Sequence, residues 1–362
     1  MRPGKIWAVA AVGTVGMVAC DVSTLLQLAD LLLLGVTPDA SFSDPSAPGF
    51  GQARLSVAGA SDSGSFLAPA LSSLDVVTDD GDEVVIEDSQ EMPGFSQGSF
   101  ALLVDGSGSM EYVGNDCPYC PSDPMRFRVD AAQTLAQELH SCGPDWRIGL
   151  MEFTSNAFGD LDGTNVLTQF TTETELVTSV AEQLGSDGGT PLWDATLATL
   201  DALALDADDG LQDLDQGEDS GIFGEDDESG YGRGLVVLSD GEDTDSSSAS
   251  LESVISRANA LGIPVHVIGL GVASDLDVAS SSSGTAVTQL RRLAEGTGGY
   301  YGAVSSADAL PQLAANIAKG HCGGYSDLTL RFDEPAATGE TVNARVVLKG
   351  TDIGVPFSFR AP

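Results

Sequence analysis

Ser99-Phe100-Ala101-Leu102-Leu103-Val104-Asp105-Gly106-Ser107-Gly108-Ser109-Met110 passes from one kind of chain to another without a break. The first six residues are a short, nearly unbroken apolar run, as expected of a strand buried on both faces. Next come an acid and two hydroxyls spaced by glycines. They have little apolar surface to bury, but they are suited to presenting oxygen atoms at the end of that strand.

Outward from this segment the chain alternates strand and helix. Further buried-strand candidates are 147–153, 234–238, 264–269 and 300–304. Between them, residues 126–139 keep Phe127, Ala131, Leu135 and Leu139 near one stripe, and 251–261 and 307–318 repeat that spacing. The alternation predicts an α/β fold with a doubly wound, mostly parallel sheet and helices on both faces. In such a sheet the carboxyl ends of the strands open on one crevice, so loops far apart in sequence converge there.

Two later segments belong to that edge. Asp187-Gly188-Gly189-Thr190-Pro191-Leu192 leads into a helix, and Leu238-Ser239-Asp240-Gly241-Glu242 ends a strand. Together with Asp105-x-Ser107-x-Ser109 they resemble the metal-ion-dependent adhesion site of von Willebrand factor type A domains, over roughly residues 99–320. The resemblance implies a Rossmann-like domain in which Ser107, Ser109 and Thr190 coordinate a divalent cation directly, while Asp105 and Asp240 act mainly through bound water. It also implies a position left open for a carboxylate of a protein partner. A hard cation such as Mg²⁺ takes about six oxygens at ~2.1 Å and gives up its waters reluctantly, which suits hydroxyls and carboxylates arriving on separate loops; Mn²⁺ and Ca²⁺ are the alternatives. Gly106 and Gly108 are expected to let the backbone turn in left-handed conformations. Asp194, Glu242 and Asp243 read as capping or supporting groups. Helix chemistry alone also explains Thr190 as a cap and Pro191 in a first turn.

The N-terminus reads as an export signal over residues 1–19, with Arg2 and Lys5 ahead of an apolar run too short to span a bilayer comfortably. Met17-Val18-Ala19-Cys20 resembles a bacterial lipoprotein processing box, which would make Cys20 the lipid-bearing first residue of an exported, membrane-anchored envelope protein. An ordinary signal peptide with a small-residue cleavage site is the alternative. Residues 20–52 read as a tether, rich in Pro, Ser, Asp and Gly from 38 to 51. Its leucine-rich start, 25–34, reads as an amphipathic helix resting on the membrane or, given Asp21 and Asp30, on the folded body. Short alternating runs in 53–97 and 323–362 predict a small β-sandwich assembled from both flanks of the central domain, 98–322.

Four cysteines remain besides Cys20. The helix from 126 to 140 is on the order of 20 Å long, and a disulfide needs α-carbons within ~7 Å, so Cys142 at its far end should reach neither Cys117 nor Cys120. In the fold that the resemblance implies, the ends of the first and last helices meet opposite the metal, which favours Cys142 with Cys322 and leaves Cys117 with Cys120. The C-x-x-C at Cys117 and Cys120 also raises a thiol-disulfide oxidoreductase as an alternative, although it lies in a Pro-rich loop rather than at a helix start.

The chain has 54 acidic against 15 basic residues and a net charge of -39. That field repels nucleic acid and anionic membranes while attracting divalent cations. Arg126, Arg128, Arg291 and Arg292 read as heads covering helix faces. The acidic insert 206–231 reads as a mobile surface loop without the ligand spacing of a calcium-binding loop. No serine or cysteine has a base beside it in any motif. His140 and His321 suit helix C-termini, and His266 suits a packed strand. The expectation is a non-enzymatic, metal-dependent protein-binding module, with a purely structural envelope protein as a further alternative.

Overall fold

The structure, a computed structural model, describes residues 28–38, 51–61, 66–69, 71–79, 81, 83–92, 94–111, 121–157, 164–215, 231–274, 281–304, 306–333, 340–351 and 354–360. Five strands come first: β1 (Leu28–Pro38), β2 (Gly51–Ser61), β3 (Phe66–Leu67), β4 (Leu74–Thr78) and β5 (Glu83–Met92). The central domain follows with β6 (Gln97–Asp105), α1 (Phe127–Cys142), β7 (Trp146–Phe153), β8 (Thr164–Thr171), α2 (Thr174–Ala181) and α3 (Leu192–Asp215). It continues through β9 (Tyr231–Ser239), α4 (Leu251–Leu261), β10 (Val265–Leu270), α5 (Ser281–Gly296), β11 (Tyr301–Val304) and α6 (Leu310–Gly323). The last strands are β12 (Tyr325–Phe332), β13 (Thr341–Leu348) and β14 (Gly354–Arg360).

The central sheet has the order β11-β10-β9-β6-β7-β8. Every neighbouring pair is parallel except β7 with β8. Period-two geometry sends successive side chains to opposite faces, and here both faces are covered. Leu102, Val104, Ile148 and Val236 pack with Leu135 and Leu139 of α1 and Ile317 of α6. Ala101, Leu103, Leu235 and Val237 pack with Leu200 of α3, Val254 of α4 and Leu290 of α5. That two-sided burial is why these strands read as unbroken apolar runs.

The structure corrects the sequence reading in three respects. The sheet is mostly parallel, as expected, but it has a strand that the sequence reading missed, β8, an antiparallel edge strand whose polar-rich sequence carries a weak strand signal. The flanking strands form one hydrogen-bonded antiparallel path, β1-β2-β12-β5-β4-β13-β14 with β3 beside β2, rather than two separate stacked sheets. The path turns at β5, which pairs with β4 near its start and with β12 further along. Leu55 and Leu328 on one side and Val76 and Val346 on the other thus share one core, as in a half-barrel. Third, residues 28–34 of the leucine-rich stretch lie in strand β1 and not in a helix within a tether, while 25–27 lie outside the described residues. Leu31 joins the core of the antiparallel sheet, whereas Leu34, of opposite strand parity, packs into the central domain. With Leu31 and Leu34 buried in different cores, the sequence lacks the simple alternation that would have revealed the strand.

The insert also differs from expectation, since 206–215 continue helix α3 and only 216–230 lie outside the described residues. Asp206 pairs with Arg147 at 2.6 Å and accepts the Ser99 hydroxyl at 2.6 Å. Cys142 and Cys322 form a disulfide with α-carbons 5.9 Å apart, joining the ends of α1 and α6. Beside it the two crossings between the sheets meet, the Phe95 N–H donating to the His321 carbonyl at 3.0 Å. Cys20, Cys117 and Cys120 lie outside the described residues. Among the described residues no helix is long and apolar enough to cross a membrane.

Candidate metal centre

β6 and β9 are parallel neighbours with Val104 opposite Leu238, so Asp105 and Ser239 are the next residues along and Asp240 follows. Register alone therefore brings two acids from distant parts of the chain to one edge. Asp105 is fully buried and Asp240 is 4% exposed. The Asp105 carboxylate accepts the Ser107 N–H at 2.8 Å, the Ser239 hydroxyl at 2.8 Å and the Asp240 N–H at 3.4 Å. The Ser107 and Ser109 hydroxyls lie 3.0 Å apart, and Ser109 donates to Asp240 Oδ1 at 2.8 Å. Ser122 donates to the other oxygen of Asp240.

The loop carrying Thr190 closes on the same place. The Asp187 N–H donates to the Gly106 carbonyl at 2.7 Å, and the Gly108 N–H to the Gly188 carbonyl at 3.0 Å. Ser186 donates to the Ser107 carbonyl at 2.9 Å. Thr190 is buried; its N–H donates to the Thr244 hydroxyl at 3.0 Å, and its carbonyl accepts the Thr244 N–H at 3.0 Å. The loops of Asp105, Thr190 and Asp240 are thus tied to one another directly.

Neither Gly106 nor Gly108 takes the left-handed backbone expected of them, and of the two only Gly106 is required to be glycine, by close packing. A Cβ on Gly106 would stand 2.6 Å from the Glu152 side chain, so close packing excludes it, while at Gly108 the nearest atom, the Gly188 carbonyl oxygen, is 3.5 Å away. Gly188, with φ of 80°, is the residue here that requires glycine's freedom. Asp194 accepts N–H groups from Ser247, Ser248 and Ala249 ahead of α4. Burial pushes its carboxyl up, yet those bonds together hold it below its ordinary range. Asp243 accepts the Ser246 hydroxyl at 2.5 Å and the Trp193 N–H at 3.3 Å, and burial raises it. Burial likewise raises Glu242. Both aspartates support the loops, as expected of capping groups.

A model of the von Willebrand factor type A domain matches residues 100–316. The chain belongs to that family. No curated protein matches its sequence. Among solved structures it is similar to the pilus adhesin SpaC of Lactobacillus rhamnosus GG at 12% identity and TM-score 0.44, over 92% of this chain and 48% of that one. This chain therefore spans about half the length of that adhesin. It is also similar to the PilB minor pilin of Streptococcus sanguinis at 14% identity and TM-score 0.36, over 80% of this chain and 77% of that one. A third is proximal thread matrix protein 1 of the mussel byssus, described with a zinc-occupied MIDAS motif, at 14% identity and TM-score 0.40 over 67% and 49%.

The edge of this von Willebrand factor type A domain has the chemistry of a hard-cation site. Burial raises the carboxyl of Asp105, and burial followed by the charge of Asp105 pushes Asp240 up to about 7. Among the described residues neither acid forms a salt bridge, and the buried Arg128 near Asp240 gives its ion pairs to Glu111 and Asp123. Two buried acids short of positive charge, ringed by hydroxyl oxygens, fit a divalent cation. Among the described residues no group of three or more His, Cys, Asp or Glu side chains converges, so the donors here are mostly hydroxyls. Sequence reading missed Ser122 and Ser239, which donate to the two acids, although Ser239 adjoins Asp240 on a strand end and was open to notice.

Two further expectations fail in this domain. Arg128 covers no helix face but is fully buried. His321 is not the charged partner of a helix end, because burial pushes its imidazole down to about 4.

Proposed function

We propose that the chain is a metal-dependent protein-binding module, an adhesion or scaffold element displayed on a bacterial cell envelope. Ser107, Ser109 and Thr190 hold a divalent cation, Mg²⁺ or, as alternatives, Mn²⁺ or Ca²⁺, with Asp105 and Asp240 supporting it through water. Bound there, the cation supplies a positive centre with an open position for a carboxylate of the partner protein. The observation that carries this reading is the buried Asp105–Asp240 pair, roofed by hydroxyls and, among the described residues, without a salt bridge. A cation between two acidic surfaces also reconciles an acidic partner with a chain of net charge -39, since long-range repulsion is screened beyond ~8 Å at physiological salt.

Export and lipid attachment at Cys20 belong to the same proposal, as does the Cys117–Cys120 clip. Cys20 precedes β1 by eight residues, which would keep the antiparallel sheet near the membrane. A binding role is favoured over catalysis because the described site presents hydroxyls and acids without a paired base and nucleophile.

The test is capture of envelope proteins on immobilised wild type and on Asp105→Ala, each with Mg²⁺ and with EDTA. The proposal expects a protein held by wild type in Mg²⁺ alone, and its holding weakened when the partner's acidic side chains are esterified. A set of captured proteins identical in all four arms contradicts it.

A further inference from the structure

The Gly185 peptide is gripped on both sides by buried charged side chains. Its N–H donates to Glu152, on β7, and its carbonyl accepts Arg128, on α1, at 3.0 Å. Arg128 is fully buried and Glu152 is 6% exposed. They form no salt bridge with each other. Arg128 instead pairs with Asp123 at 2.8 Å and with Glu111 at the end of the Asp105 loop. Glu152 accepts Asn165 at 3.2 Å and fills the space beneath Gly106.

Burying two charges is costly, and it is tolerated where each finds strong, fixed hydrogen bonds. A guanidinium can serve three partners at once because its five donors form a rigid fork. Here the three partners belong to the Asp105 loop, the segment before α1 and the threonine loop. The residues just after Gly185 make the contacts that join the loops, Ser186 to the Ser107 carbonyl and Asp187 to the Gly106 carbonyl.

We infer that Arg128 and Glu152 are positioning residues for the metal centre, clamping the Gly185 peptide so that Thr190 is held in register with Ser107 and Ser109. This rests on the metal reading given above. Neither side chain touches the cation; each acts through the loop.

The test measures Mn²⁺ affinity by calorimetry and, in EDTA, hydrogen exchange of the Gly185, Asp187 and Gly108 amides. Arg128→Lys keeps the charge but cannot span three partners, and should weaken Mn²⁺ binding ~10-fold, in the range seen when groups behind metal ligands are removed. Glu152→Gln, which preserves size and an acceptor oxygen and so should fold, should weaken it by about 3-fold, because a neutral acceptor bonds less strongly than a charged one. Both variants should lose amide protection. Val346→Ala, in the antiparallel core, is the control for lowered stability alone and should leave Mn²⁺ affinity unchanged. Wild-type affinity and wild-type protection in both variants would overturn the inference, as would a control that weakens Mn²⁺ equally. A wild type that fails to bind Mn²⁺ would sink the metal reading instead, and the exchange data in EDTA would still decide whether the clamp holds the loop.

Discussion

The Ser109 hydroxyl donates to Asp240 Oδ1 at 2.8 Å across 131 positions of chain. Nothing local forces this contact. It follows from β6 lying parallel to β9, which aligns their carboxyl ends, and from each strand ending in an oxygen-rich loop. The same register buries Asp105 and Asp240 together, where each disfavours the charge of the other. The proposed cation at that edge would offset the repulsion, and several outcomes follow.

Asp105→Ala should lower Mg²⁺ or Mn²⁺ affinity on the order of 100-fold by calorimetry, since metal sites lose 10- to 100-fold even when supporting groups alone are removed. Wild type should also gain about 2.7 kcal/mol of stability at a free cation concentration 100 times Kd, reversed by EDTA, from preferential binding to the folded state. The variant should show no such gain. An equal rise in Tm for both proteins contradicts the assignment.

Leu34→Ala discriminates strand from tether. As a buried residue of β1 packed into the central core, it should cost about 2–5 kcal/mol in urea unfolding, the range for emptying a core leucine site. A loss below about 0.5 kcal/mol, typical of an exposed position, would place this stretch off the folded body.

Acid should destabilise the junction between the sheets. Burial depresses His321 to about 4, and burial followed by the neighbouring His321 charge depresses His266 well below its ordinary range. The rings stand 5.8 Å apart. Because the unfolded chain takes up these protons first, stability is full above pH ~6.5 and falls towards pH ~4, by on the order of 3 kcal/mol for His321. Urea titrations at pH 7.5 and 4.5 measure the slope, and His321→Gln should flatten it. A slope unchanged in that variant would contradict the role given to His321.

The Cys142–Cys322 disulfide closes a loop of 180 residues, and the chain-entropy model allows it up to about 5 kcal/mol. Replacing both cysteines with serine should lower Tm without abolishing cation binding, because the bridge lies at the sheet edge opposite the metal centre. Loss of cation binding in a folded double variant would show that the two edges are coupled.

The central domain was largely legible in the sequence because its strands are buried on both faces and therefore read as apolar runs. The five residues of the proposed metal centre stood out in the sequence because hydroxyl and acid side chains occupy strand ends and a helix start, and the structure brings their loops to one edge. β8 was hidden by its edge position, where five of its eight residues are polar. The leucines of β1 imitated a helix, since Leu31 and Leu34 serve different cores and break the alternation of a one-sided strand. Arg128 and Glu152 gave no signal at all, because a buried charge looks in sequence like any surface charge until the partners that satisfy it are known.

The most direct measurement is anomalous diffraction from crystals equilibrated with Mn²⁺. The account expects one peak enclosed by Ser107, Ser109 and Thr190, with Asp105 and Asp240 behind water, and its disappearance in Asp105→Ala. Crystals at a saturating Mn²⁺ concentration with no peak at that edge, or with the same peak in the variant, would contradict it.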